Sequence, residues 1–315
     1  MLNRRSLRAK VLQTVYAYNV SDNKNIKFFE KQLLKNVEEV SEMYIWMLNL
    51  LDEVAAHVLE DTENRARKFL PSEKDKLMTT KLDTNTFIES LRRNDDYHRL
   101  VRKYKVDWNY DPEIVRSIFL KLVDSEEYMQ YLQTEDRSIA EEKNIIRYIF
   151  RNIILKSSEV EQAFDAKYIN WYVDNEVLKA LVTKTFKNFS SENPHENKLA
   201  DLTPNWREDK IFILELFSHT IRHAEEYEEM IADKTKNWDV ERIALMDILI
   251  MRMALVEFEH FSTIPVKVTM NEYIELAKSY SSKRSSTFIN GVLDKILMEM
   301  KEKGRIHKHG RGLIN

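Results

Sequence analysis

An all-α fold follows from three features of this 315-residue chain. The first is punctuation: four glycines and five prolines are too few for a protein of short strands, which needs a turn every few residues. The second is composition, 43% hydrophobic and 32% charged, rich in the Lys, Glu and Leu that lose little side-chain freedom in a helix. The third is periodicity, with apolar residues recurring three and four apart through most of the chain.

A first helix is expected from Arg4 to Tyr18, with Val11, Val15 and Tyr18 inward and Arg4, Arg5 and Arg8 on its exposed first turns. Positive charge there opposes the helix macrodipole, so these arginines are not placed for helix stability. Ser21-Asp22-Asn23 makes a turn. A long helix follows from about 26 to 67, its stripe of Val37, Val40, Tyr44, Met47, Leu51, Val54 and Val58 facing partner helices. Phe69-Leu70-Pro71 ends it.

Residues from about 72 to 200 begin with a polar, looped run between Thr79 and Thr86. Asp111-Pro112-Glu113 opens a helix, with Asp as N-cap and Pro in the first turn, and Ile114, Ile118 and Leu122 then share a face. Ser138 and Glu141 form a capping box ahead of Ile145, Ile146, Ile149, Phe150, Ile153 and Ile154. Another helix runs from Glu159 to about Phe189, before a loop bracketed by Ser190–Pro194 and Thr203-Pro204. This stretch is long enough to be a helical subdomain of its own.

The helical pattern resumes at Pro204 and runs to about Asp233, with Ile213, Phe217, Ile221, Ala224 and Ile231 inward. Asn237 is expected to cap the next helix. From Ile243 to Phe258 that helix is almost solidly apolar, broken only by Asp247, Arg252 and Glu257. A helix apolar on nearly every side belongs at a domain centre. Two amphipathic helices follow, one after Pro265 with Val268, Ile274 and Ala277 inward. The other follows Ser281, Ser282, Ser285 and Ser286, with Phe288, Val292 and Ile296 recurring every four residues.

Several classes of chemistry are excluded. All four glycines (Gly291, Gly304, Gly310, Gly312) fall in the last twenty-five positions, so no glycine-rich phosphate cradle precedes them. Without cysteine there are no disulfides, thiolate zinc sites or cysteine nucleophiles, which fits a cytoplasmic setting. MLNRRSLRAK has no apolar stretch behind it, so no secretory signal is expected. The 243–258 segment is too short and too charged to span a bilayer, so no membrane partner is expected.

His219 and His223 stand four apart, a spacing that presents two imidazoles to a metal. No third ligand is suggested by sequence, so exposed helix histidines are the expectation, with no metal and no cofactor. Asp247 and Arg252 are expected to be mutually satisfied structural charges. Glu38-Glu39 and Glu228-Glu229 belong to solvated faces. No nucleophile has an identifiable base, and nothing points to an enzyme.

Net charge is −3, but it is unevenly spread. Residues 1–10 carry four cations and no acid, and residues 278–315 carry nine Lys or Arg against three acids, leaving −13 for the rest. Cationic ends on an acidic body favour a confined anion-binding surface.

The block from Trp238 to Ile296 carries a resemblance. Val240-Glu241-Arg242 leads into the apolar helix, then come Ile264-Pro265-Val266-Lys267-Val268, Asn271-Glu272, Glu275-Leu276-Ala277-Lys278 and Phe288-Ile289-Asn290-Gly291-Val292-Leu293-Asp294-Lys295. This ordered set resembles the NusB family of bacterial transcription antitermination factors, and Arg4 to Tyr16 resembles the family's amino terminus. The resemblance implies a pair of small helical bundles, residues 1–71 and 201–303, with 72–200 as a helical insertion and 304–315 as a basic flexible tail. It also implies binding of boxA-like single-stranded RNA together with NusE, a small-subunit ribosomal protein, in an RNA polymerase antitermination complex supporting ribosomal RNA transcription.

By the same resemblance the RNA-binding roles fall to Arg4, Arg5, Arg8, Lys283, Arg284, Thr287 and Phe288, with Tyr16 and Glu241 on or near the protein-partner surface. Cations on phosphates and rings under unstacked bases are how single strands are held. For Phe288, core packing and stacking are equal expectations, and Gly291 is expected to permit a close helix crossing. The chain departs from the family at Ser281, often glycine, at Lys283 and Arg284, often acidic, and at Thr287, often lysine. NusB-like domains also precede methyltransferase domains in some RNA cytosine methyltransferases, but those need a glycine-rich loop and catalytic cysteines. A protein-only adaptor that has lost RNA binding is the remaining alternative.

Overall fold

A computed structural model of the chain describes residues 1–135, 137–190, 193, 196–235 and 244–309, with Lys283 described by its backbone. Among these residues there are fifteen α-helices and no strand, and no helix is long and apolar enough to cross a membrane. The expected cap Asn237 lies outside the described residues, as does Glu241. The chain divides into two compact units, Met1 with Glu38–Leu202 and Leu2–Val37 with Thr203–Asn315. The division falls inside the long helix α2 (Ile26–Ala66), so Pro71 lies within the first unit.

In the first unit the second part of α2 buries Val40, Tyr44, Met47, Leu48, Leu51, Val54 and Val58. It is followed by α3 (Glu73–Leu77), α4 (Thr86–Arg92), α5 (Asp95–Tyr104), α6 (Pro112–Val123), α7 (Glu126–Gln133), α8 (Ile139–Tyr148), α9 (Ser158–Lys167) and α10 (Trp171–Asn188). Polar ties reinforce the packing. Asn49 Nδ2 donates to the Tyr97 hydroxyl at 2.9 Å, and Arg92 joins Asp52 at 2.6 Å to Asp83 at 2.8 Å. Pro112 does open α6, but Asp111 makes no side-chain cap bond. Ser138 caps α8, its hydroxyl accepting from the Glu141 N–H at 3.4 Å, and a reciprocal capping box forms at Ser72 and Asp75. The isoleucine run after Ser138 leaves α-geometry through a π-helical turn at Ile149–Ile153.

The second unit is built around α13 (Leu245–His260). Every residue from Leu249 to Phe258 is at most 1% exposed, and each large apolar side chain so buried is worth roughly 1.5–3 kcal/mol. Around it pack α1 (Arg4–Val20), α11 (Trp206–Arg222), α12 (Ala224–Lys234), α14 (Val266–Tyr280) and α15 (Lys283–Glu302). The helix expected from 204 to 233 is broken at His223, which sits between α11 and α12. On α14 the inward face is Thr269, Met270, Tyr273, Leu276 and Ala277, while Val268 is exposed. On α15 it is Ile289, Val292, Leu293, Ile296, Leu297 and Met300, which leaves Phe288 half-buried on the rim.

Arg252 and Asp247 do not satisfy each other. Five apart on a helix they point to different sides, and Arg252 instead meets Glu228 at 2.9 Å, the Thr220 carbonyl at 2.8 Å and Asn19 at 3.4 Å. The tail is not loose from its start either. Gly304, at φ 67°, closes α15 with Arg305 N–H donating to the Met300 carbonyl at 2.8 Å, a left-handed helix stop. The chain then returns over α12 and α13. Arg305 grips Glu259 and Glu226, and the His309 N–H donates to the Ser262 carbonyl at 3.0 Å.

Candidate nucleic-acid interface

The first turn of α1 is basic because Asn3, not an acid, starts the helix. Its side chain accepts from the Ser6 N–H at 2.9 Å, and no acid stands in the first turn. The three arginines then meet different partners. Arg4 pairs with Asp209 at 2.7 Å and lies 4.2 Å over the Phe212 ring. Arg5, half-exposed, forms a two-point contact with Glu272 at 2.9 and 2.8 Å. The Arg5 hydrogen bond holds the Glu272 carboxyl below its usual range despite burial. Arg8 turns inward.

Arg8 is 2% exposed. Its Nε and Nη2 donate to Glu257 Oε2 and Oε1 at 2.8 and 2.7 Å. Glu257 also accepts from the Thr269 hydroxyl at 2.8 Å and the Tyr273 hydroxyl at 3.2 Å. This is a saturated carboxylate with its cation in the core of the unit. The exposed first turn expected for three arginines therefore offers two, Arg4 and Arg5. A residue four positions after Arg4 on a helix shares its face, and here that face passes from rim to core within one turn.

The second basic turn is at α15. Lys283 and Arg284, expected in a loop, are instead its first two residues, behind Ser282 as N-cap. Ser282 Oγ accepts from the Ser285 N–H at 3.1 Å, and again no acid stands in the first turn. Arg284 and Thr287 are exposed and Phe288 is half-buried. With Gly291 they fall three and four apart, one outward stripe opposite the buried face. Helix α14 holds Arg5 through Glu272 and packs along α15.

Gly291 does not serve a helix crossing, since a Cβ built there meets nothing within 4 Å. An exposed glycine inside a helix costs roughly 0.5–1 kcal/mol relative to alanine. Gly291→Ala is therefore expected to stabilise the chain by that amount, read as a higher denaturation midpoint. A lower midpoint would reveal a neighbour against this position. Tyr16, on α1, is 41% exposed.

The acids that hold the arginines were not legible as partners, because they lie 249 and 267 residues away along the chain. Glu272 appeared only as part of a motif, and Glu257 only as a break in an apolar run.

Comparison with known proteins adds a family. A family model described as the NusB family matches residues 176–298, which takes in α11 to α15 and leaves out α1. The chain is 44% identical over 103 residues to "Transcription antitermination protein NusB" of Salinibacter ruber, covering 33% of this chain and 64% of that protein. It is 37% identical over 106 residues to the protein of the same name from Chloroherpeton thalassium, covering 34% of this chain and 50% of that protein. With the one from Dehalococcoides mccartyi it shares 33% over 120 residues, 38% of this chain and 83% of that protein. No solved structure matches. The chain thus spans about two thirds or half of the first two relatives, and most of the third. All-helical architecture, the core helix α13 and this similarity agree that the chain belongs to the NusB family.

Proposed function

We propose that this chain is a non-enzymatic transcription antitermination factor that binds boxA-like single-stranded RNA together with NusE, supporting ribosomal RNA transcription. The observation that carries the reading is the outward stripe Arg284, Thr287, Phe288 and Gly291 on a helix whose first turn has no acid. The positive end of the helix dipole favours a phosphate there. The Arg284 cation adds to this, the Phe288 ring offers a stacking surface, and the bare Gly291 leaves room beside it. Arg5, half-exposed, supplies a further cation, because a phosphate can share its guanidinium while Glu272 keeps Arg8 within 3.7 Å. The names of the relatives support transcription antitermination.

Fluorescence anisotropy of labelled boxA-like RNA across salt concentrations tests this. Arg284→Ala is expected to lower the log–log salt slope by roughly 0.7–1. Phe288→Ala should cost about 1–3 kcal/mol of affinity for the stacked base, with the slope kept. Glu272→Gln should strengthen binding and steepen the slope by freeing Arg5. Adding NusE is expected to tighten the complex.

One observation favours the adaptor reading: Arg4, Arg5 and Arg8 are each held by a carboxylate. Absence of RNA binding by the wild-type chain, with and without NusE, would establish it.

A further inference from the structure

Three imidazoles meet where three helices end. His219 lies in the last turn of α11, His223 is the junction between α11 and α12, and His260 is the last residue of α13. One ring nitrogen from each lies within 4.8 Å of the other two. The His219 and His260 rings lie parallel with centroids 4.2 Å apart, and His223 is 5.0 Å from His260 and 5.7 Å from His219. The Nδ1 atom of His219 is buried without a hydrogen-bond partner. The sequence spacing offered two of these residues. The fold supplies the third.

The cluster is also held from outside. The Tyr227 hydroxyl donates to Glu259 Oε2 at 2.7 Å and stands 3.2 Å from His260 Nε2. Glu226 Oε2 lies 3.4 Å from His223 Nδ1. Arg305 ties Glu226 and Glu259 together, with contacts of 2.6 Å to each. Imidazoles that ligate metals commonly donate their other ring N–H to a carboxylate or to a group backed by one, which fixes ring orientation. His223 and His260 already have such partners, and each retains a second nitrogen.

We propose that His219, His223 and His260 bind a divalent transition-metal ion, with Zn²⁺ the best fit and a fourth position left open. Imidazole nitrogen suits zinc and its neighbours, whereas magnesium and calcium demand oxygen ligands. Three protein ligands and one open position is an established zinc geometry. Zinc–nitrogen bonds of about 2.0–2.1 Å place tetrahedral nitrogens about 3.4 Å apart. From separations of at most 4.8 Å, rotation of the stacked rings has to bring the nitrogens closer by up to about 1.4 Å to reach that spacing. Bound there, the ion pins the α11–α12 junction to the end of α13.

The test uses the untagged full chain, stripped with chelator and titrated with Zn²⁺, Co²⁺ and Mg²⁺ separately. One equivalent of Zn²⁺ is expected to bind at micromolar concentration or tighter and to raise the melting temperature. Co²⁺ should give the visible absorption of a tetrahedral ion, and Mg²⁺ should do nothing. His260→Ala alters an exposed residue, so the core survives, and zinc affinity should fall by roughly 100-fold or more. His223→Ala provides the same reading independently. Glu226→Gln should weaken binding by roughly tenfold. A wild-type chain that takes up no stoichiometric zinc overturns the site, and so does retention of wild-type affinity by both histidine variants.

Discussion

Arg8→Ala is expected to destabilise the second unit by about 3–5 kcal/mol, because it strips the partner from a carboxylate that has no water to turn to. Glu257 is 0% exposed and receives both Arg8 nitrogens along with the Thr269 and Tyr273 hydroxyls. Without the guanidinium two hydroxyl bonds remain, for a charge held in the interior. The loss also empties a side chain's volume beneath Phe212 and Tyr273, whose rings lie 5.3 and 5.9 Å from the Arg8 guanidinium carbon. Arg8→Lys keeps the charge but not the fork, and should lose less. Urea denaturation followed by circular dichroism reads the effect. If Arg8→Ala instead kept full stability and lost RNA affinity, Arg8 would be a phosphate contact and its buried pairing would be wrong.

Removing residues 304–315 is expected to lower stability by roughly 3 kcal/mol: hydrogen bonds to charged groups are worth about 1.5–3 kcal/mol each, and solvent screening of these part-exposed groups discounts their sum. The truncation takes away the two-point Arg305 contact on Glu259 at 2.8 and 2.6 Å. It also takes away Lys308, whose ammonium donates to the Glu257 and Phe261 carbonyls at 2.9 and 2.8 Å. The Glu257 carbonyl lies in the last turn of α13 and the Phe261 carbonyl, which also accepts from the Ile264 N–H at 3.1 Å, lies just past it, where a cation suits the dipole. Burial pushes Lys308 down to about 8. Its amine therefore carries less charge above pH 8 while the unfolded chain keeps it to about 10.4. The unfolded state binds more protons in that window, so the cost of charging a buried amine is relieved, and stability attributable to Lys308 rises, from pH 8 toward 10.4. A thermal midpoint unchanged by truncation would make the tail a solvated appendage, as the sequence suggested.

Helix, order and centre were legible in the residues because each depends on neighbours within a few positions. Scarce glycine and apolar spacing announced the helices, and Pro112 announced the start of α6. The nearly continuous apolar run from Ile243 to Phe258, broken only by Asp247, Arg252 and Glu257, marked the core helix before any partner was known. Inward faces were less secure. On α14 the pattern pointed to Val268, yet the burial falls on Thr269 and Tyr273, because a hydroxyl that reaches Glu257 is worth burying and a valine on the rim costs little. The break at His223 gave no warning either, since both flanking segments are good helix formers.

What the sequence determined by itself was the all-helical class, the placement of α13 and the kinship carried by motifs from Ile264 to Lys295. What only the tertiary structure decided was which charges are free. Arg4, Arg5 and Arg8 are alike in a string of letters, but one helical turn carries the face from solvent to core, and acids hundreds of residues away choose among them. His260 joined His219 and His223 for the same reason. Short-range periodicity is written in local spacing, whereas an ion pair or a ligand set exists only where separate helices end side by side.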